Sequence, residues 1–210
     1  MFKKIREFFR VLGELRYLIP LMRYEFPSPD DNASLAHSFE ETVTKFGSNN
    51  FIYFENEKWT YNQTNEAANI LANKLVDDGV EHGDRVVLFM ENRPNYIISI
   101  LALNKIGAIG VLINTSLTGN PLIHCINSSD SKKCIVGAEL ASPLEEVLSE
   151  INIKDKSDIY WVKDGSNYEC PQWASNLDTL IDTSKSNNLS ITNKVTAVSY
   201  THLTLPTMRT

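Results

Sequence analysis

The sequence predicts a doubly wound α/β fold with a largely parallel sheet, preceded by an amphipathic helix, and three observations carry that prediction. Val86-Val87-Leu88-Phe89-Met90 is an unbroken apolar run, the pattern of a strand covered on both faces rather than one with a wet side. A second apolar stretch, Ala108 to Ile113, follows after one helix-length segment, and strand, helix and strand in that order make a crossover that is right-handed in nearly all sheets. A third apolar strand, Lys133 to Val136, stands beyond a further helical segment at Pro121 to Ser128, so the alternation continues.

The elements around these three follow in order. Ala33 to Phe46 reads as a helix with Leu35, Phe39, Val43 and Phe46 on one face. Phe51 to Phe54 and Trp59 to Tyr61 read as two short strands about a polar turn, Glu55 to Lys58, the pattern of a hairpin. Thr64 is the expected cap of a helix whose apolar positions are Ala67, Ala68, Leu71, Leu75 and Val76. Gly79 suits the left-handed position that ends it. Asn92 is the expected N-cap of the crossover helix, with Pro94 just inside, where its missing N–H costs little. Tyr96, Ile97, Ile100, Leu101 and Leu103 form its apolar side and Gly107 ends it. Beyond Leu144 the signal weakens. Ile159 to Val162 reads as a strand, and Asn176 to Ser190, with Ser184, Ser186, Asn187 and Asn188, reads as polar loop.

Composition excludes several classes. With 210 residues, 42% hydrophobic and 22% charged, the chain has room for one or two domains and a real core. Of the net charge of −6, Met1 to Glu25 contribute +3 from six basic and three acidic residues, which leaves −9 on the rest. A basic arm on an acidic body points to an anionic surface as partner of the arm and away from nucleic acid. Cys125, Cys134 and Cys170 are odd in number and form no CxxC pair, which argues against a disulfide scaffold or structural zinc and for a reducing compartment. No apolar run approaches the roughly 20 residues that span a bilayer, and no signal-peptide pattern opens the chain.

The arm itself, Phe2 to Met22, places Phe2, Ile5, Phe8, Phe9, Val11, Leu12, Leu15, Leu18 and Ile19 within about half a helical wheel, with Lys3, Arg6, Glu7, Arg10 and Glu14 opposite and Pro20 ending or kinking the helix. Such a stripe suits a helix lying in a membrane interface and equally one packed on its own domain or on a neighbouring subunit. The expected organisation is an amphipathic basic helix at 1–26, a linker at 27–32 (PSPDDN), a partial α/β domain at 33–196 and a foreign tail at 197–210.

Several motifs carry a resemblance. Trp59-Thr60-Tyr61, Gly83-Asp84-Arg85-Val86 and Lys105-Ile106-Gly107-Ala108 resemble the N-terminal domain of adenylate-forming (AMP-dependent) acyl-CoA synthetases. Phe89-Met90-Glu91-Asn92-Arg93-Pro94, Leu112-Ile113-Asn114-Thr115-Ser116-Leu117 and Leu122-Ile123-His124-Cys125 look like the fatty-acid transport protein branch, the very-long-chain acyl-CoA synthetases. The match runs from about Ser34 to Leu140, roughly half the chain. It implies a two-step ligase. ATP and a long- or very-long-chain fatty acid give acyl-adenylate and pyrophosphate, with Mg²⁺ neutralising the phosphates, and coenzyme A thiolate then displaces AMP. It also implies a peripheral protein in the cytoplasm or on the cytosolic face of a membrane, reached through residues 1–26. Two other readings stay open: a different adenylating ligase (aryl, short acyl or aminoacyl), and a non-enzymatic fatty-acid uptake or membrane-binding protein.

The first ligase step needs a Gly/Ser/Thr-rich loop ending in lysine, whose backbone N–H groups and cation hold phosphate. At the corresponding place stands Tyr200-Thr201-His202-Leu203-Thr204-Leu205-Pro206-Thr207, without glycine for a tight turn and without lysine. Ala197 to Thr207 resembles an in-frame translation of a transposase adaptor used in sequencing libraries, so the natural sequence is expected to end near Thr196. The chain as it stands is expected to be catalytically incomplete and, with its sheet cut short, poorly soluble.

No residue receives a catalytic, cofactor-binding or metal-binding role. His124-Cys125 are adjacent on a helix and do not face each other. His37 and His82 lack partners at motif spacing. Asp77, Asp78, Glu81 and Asp84 match no calcium-loop spacing and read as a solvated turn. Asn114-Thr115-Ser116 lie where α/β sheets place ligands, and a turn or capping role is favoured there over substrate contact.

Overall fold

A serine cap begins the described chain. The computed structural model describes residues 34–153, 155–165, 168–180 and 185–189; the basic arm, the linker and the adaptor-like tail lie outside them. Helix α1 (Leu35–Phe46) starts at Ser34, whose hydroxyl accepts the His37 amide. Leu35 and Phe46 were expected on the apolar face with Phe39 yet are 55% and 52% exposed. The helix meets the body through Ala36, Phe39 and Val43 instead. Asn104 Oδ1 accepts the Ala36 amide at 2.8 Å, and buried Lys105 pairs with Glu40.

Strands β1 (Asn50–Phe54) and β2 (Glu57–Thr60) form the antiparallel hairpin that the alternation predicted, with Glu55 in a left-handed turn conformation. Phe39, Phe51 and Tyr61 close the space under it, with ring centroids 4.7–5.7 Å apart. Helix α2 (Tyr61–Asp77) follows with no loop, so its cap is Thr60 rather than Thr64. Thr60 and Gln63 form a reciprocal capping box, and Thr64 sits inside the first turn with its hydroxyl donated to the Thr60 carbonyl. Gly79 takes φ +81° after the helix, as its place in the sequence predicted.

The main sheet holds β3 (Arg85–Phe89), β4 (Ile109–Leu112), β5 (Lys133–Gly137), β6 (Ile159–Val162) and β7 (Ser175–Asn176), all parallel, in the order β4-β3-β5-β6-β7. The connections are α3 (Pro94–Lys105), α4 (Gly119–Ser128) and α5 (Ala141–Val147), and a short α6 (Leu177–Leu180) follows β7. Arg93, not Asn92, is the N-cap residue of α3, and Gly107 ends that helix with φ +70°.

Alternation along the strands divides the core in two. Val86, Leu88, Ile135, Tyr160 and Val162 face α2 and α3, while Val87, Phe89, Cys134, Val136, Ile159 and Trp161 face α4 and α5. All eleven are buried to 2% exposure or less, so every strand in the middle of the sheet is apolar on both sides. Ser186, Asn187 and Asn188 lie in irregular chain as expected, while residues 176–180 of the same polar stretch supply the end of β7 and α6, and residues 185–189 lie against α2.

Candidate functional site at the carboxyl edge of the sheet

The chain leaves β3 for β4 on one side and returns to β5 on the other, so the strand order reverses between β3 and β5. Open α/β sheets bind ligands outside the carboxyl ends of their strands at such a reversal. Glu91, Asn92 and Arg93 leave β3 there, and Ala138 and Glu139 leave β5.

Arg93 and Glu139 join these loops. The Arg93 side chain is 9% exposed; Nη1 donates to the Lys163 carbonyl at 3.2 Å and Nη2 to the Val162 carbonyl at 3.1 Å. Glu139 Oε1 accepts the Glu91 amide at 2.8 Å. Its Oε2 stands 3.2 Å from Arg93 Nη2, near enough for an ion pair though it makes no hydrogen bond. Three strand ends are thus tied by one guanidinium and one carboxylate, and Arg93 Nε is buried without a hydrogen-bond partner among the described residues. Gly137 makes the approach feasible: a Cβ there would run into the Glu139 carboxylate.

Beside this clamp a cleft of 270 Å³ opens, lined by Glu139, Ser142, Glu145, Trp161, Tyr168 and Trp173. On the other face a smaller apolar cavity of 160 Å³ lies between α2 and α3, bounded by Trp59, Ala67, Leu71, Ile98, Val162 and Leu177. Neither is lined by a thiol or an imidazole, and among the described residues no three His, Cys, Asp or Glu side chains could hold a metal ion. At the reversal point the described residues supply carboxylates, aromatic walls and one guanidinium engaged with Glu139. The guanidinium is taken up by Glu139 and by the Val162 and Lys163 carbonyls, so at this point it is not turned toward a phosphate.

Several of the residues weighed from sequence meet neighbours close by in the chain. His124 Nδ1 is 3.4 Å from Ser128 Oγ on the same helix, and Cys125 is half-buried. Cys134 is buried, which pushes its thiol up to about 12. His37 has a partner after all, Glu41 at 3.6 Å one turn on, in an exposed pair. Asn114 Oδ1 accepts the Ser116 amide at 2.9 Å, a local turn at the end of the edge strand.

The acidic turn is spoken for. Asp78 takes Lys74 and the Tyr160 hydroxyl, Asp84 takes Lys132 and the Glu81 amide, and Asp77 takes Lys185. Burial alone would raise Asp78 and Asp84. Burial is the largest single influence, but at Asp78 the hydrogen bonds from Lys74 and Tyr160 with the nearby lysine charges, and at Asp84 the hydrogen bonds from Lys132 and the Glu81 amide with the Lys132 charge, together outweigh it, so both sit below the usual carboxylate value.

Sequence reasoning missed the Arg93–Glu139 clamp. Arg93 was visible only as part of a motif, and nothing in the local pattern marks Glu139 as its partner. The four-residue repeat of Asn65, Asn69, Asn73 and Asp77 along α2 was a readable signal that was not used.

A doubly wound parallel sheet with its clefts at the carboxyl edge defines a ligand-binding α/β domain. Residues 39–201, more than half of the chain, match the family model described as AMP-binding enzyme, and the chain belongs to that family. It is 31% identical over 150 residues to long-chain fatty acid transport protein 2 of Rattus norvegicus, covering 71% of this chain and 23% of that protein. It is likewise 31% identical over 118 residues to a medium/long-chain-fatty-acid–CoA ligase of Mycobacterium tuberculosis, covering 56% of this chain and 20% of the ligase. The crystal structure of a putative long-chain-fatty-acid CoA ligase from Rhodopseudomonas palustris shares the fold, with TM-score 0.63 at 21% identity over 75% of this chain and 38% of that one. The chain therefore spans less than a quarter of the length of these two curated relatives.

Proposed function

We propose that the whole protein activates long- or very-long-chain fatty acids, forming an acyl-adenylate from ATP and then an acyl-CoA. The observation that carries this reading is the family match over residues 39–201, taken with a relative at 31% identity that is a long-chain fatty acid transport protein. The motifs at Phe89 to Pro94, Leu112 to Leu117 and Leu122 to Cys125 support the same branch. ATP, Mg²⁺ and coenzyme A are the cofactors of this reading, held by segments other than the described residues. Residues 33–196 then serve as scaffold, residues 1–26 dock on a membrane surface on its cytosolic side through the linker at 27–32, and residues 197–210 take no part.

The test is pyrophosphate release by the product of the complete reading frame, offered palmitate, a very-long-chain acid, benzoate, acetate and amino acids in turn. Release with the long acids supports the proposal. Release with benzoate, acetate or an amino acid alone replaces it with another adenylating ligase, and release with none favours a fatty-acid uptake or binding protein. The 210-residue chain alone is expected to form no acyl-adenylate. For the arm, flotation with vesicles of phosphatidylcholine and phosphatidylserine is expected for the full chain and is expected to be lost when residues 1–26 are removed.

A further inference from the structure

Asn65, Asn69, Asn73 and Asp77 stand four residues apart on α2 and so form one polar row along the helix. Asn69 is 1% exposed and Asn65 8%, on a helix that also buries Ala68, Leu71, Ala72 and Leu75. Carboxamides held in such a place need hydrogen-bond partners. They find them in residues 185–189, more than a hundred positions away. Asn73 Nδ2 donates to the Lys185 carbonyl at 3.1 Å, and Asn69 Nδ2 donates to the Ser186 carbonyl at 2.7 Å. Asn69 Nδ2 and Asn65 Nδ2 both reach Asn188 Oδ1, at 2.8 and 3.0 Å, and Lys185 Nζ meets Asp77 at 2.5 Å. All three amides thus turn a donor toward the segment, leaving the oxygens of Asn65 and Asn69 buried without a partner among the described residues.

The contacts run in opposite order along the two segments, Lys185 lying near the end of α2 and Asn188 near its start. The end of α2 is at the amino edge of the sheet, where Asp78 takes the Tyr160 hydroxyl. Its start is toward the carboxyl edge, where Trp59 and Ala67 share a cavity with Val162, the last residue of β6. Residues 185–189 therefore travel in the direction of the strands and return the chain toward the carboxyl edge.

We propose that the asparagine row of α2 is a docking rail that holds residues 185–189 in one register, and that Asn69, at its centre, is the residue that sets that register. A segment reading Lys-Ser-Asn-Asn-Leu has one apolar anchor, Leu189, packed on the core. A single anchor sets no register, whereas donors repeated at each helical turn do.

Tryptic cleavage after Lys185 tests the rail without nucleotide or acyl substrate, so its failure and that of the ligase reading are separate. Asn69→Asp keeps the shape and puts an acceptor against the Ser186 carbonyl and the Asn188 oxygen. Cleavage after Lys185 is expected to accelerate about tenfold, with all other tryptic sites and the circular dichroism spectrum unchanged. An unchanged rate at Lys185 in a folded variant would overturn the proposal. If Asn69→Asp speeds every site by unfolding the chain, Asn188→Ala decides, because Asn188 is exposed and lies on the segment. Selective acceleration at Lys185 sustains the rail, and equal rates overturn it. Wild-type protection that falls on dilution places the segment on a second copy and also overturns it.

Discussion

At the amino end of the sheet three lysines each meet a carboxylate of their own, while at the carboxyl end the partners are shared and incomplete. Lys133 meets Asp158 at 2.7 Å, Lys74 meets Asp78 at 2.6 Å with the Tyr160 hydroxyl added, and Lys132 meets Asp84 at 2.8 Å. Lys133 also lies 5.6 Å from the centre of the Tyr160 ring. At the other end Arg93 Nε, Glu139 Oε2 and Trp173 Nε1 are buried without hydrogen-bond partners among the described residues. Both ends belong to the same strands and share the same core, so the contrast does not come from packing. It teaches that this sheet is closed off at one edge and keeps unsatisfied polar capacity at the edge where α/β folds bind ligands.

The largest expected effect is at the clamp. Arg93→Leu removes two carbonyl contacts and leaves Glu139 without its counter-charge, at an expected cost of about 3 kcal/mol in urea unfolding of the 210-residue chain. The same variant should let Cys134, whose buried thiol is pushed up to about 12, alkylate faster as the sheet opens. Tyr160→Phe at the amino end should cost less, about 1–2 kcal/mol, because Asp78 keeps Lys74. If it costs as much as Arg93→Leu, the two edges are equally dependent on their polar pairs and the contrast fails.

Gly137→Ala should cost about 1 kcal/mol by displacing the Glu139 carboxylate from the Glu91 amide. Its effect should vanish in a Glu139→Ala background, and additivity in that double-mutant cycle would show that the glycine acts some other way.

The smallest effect is the pH response of the amino edge. Asp78 and Asp84 have folded values below 3.8, so their contribution is complete above that value and is lost as pH falls through the lower folded values. Replacing both by Asn should therefore lower stability at neutral pH and flatten the acid limb of the stability profile. A limb that keeps its wild-type slope below about pH 4 would assign acid sensitivity elsewhere.

Regular elements were readable in proportion to how local their signal is. The run Val86 to Met90 became a strand buried on both faces, and Gly79 and Gly107 ended helices where their positions indicated. Errors came where two local rules competed. Thr64 looked like a cap because apolar residues follow it, but the cap of the Thr60–Gln63 capping box lies four residues nearer the strand and β2 runs straight into the helix. Leu35 and Phe46 have helical spacing, yet spacing cannot tell how much of a helix touches its neighbour. The docking of residues 185–189 on the polar row of α2 was not readable, because polar pairing has no apolar periodicity to betray it.

By itself the sequence determined the strand–helix alternation and the two-sided burial of the central strands, because periodicity and glycine positions act over a few residues, and it carried the motifs that resemble an adenylate-forming family. Tertiary structure alone decided that Arg93 meets Glu139 across the strand reversal, and that Asn69 meets Ser186 at a separation of 117 residues. Those contacts depend on the order in which strands pair, and a hydrogen bond between distant polar groups leaves no trace in the neighbourhood of either.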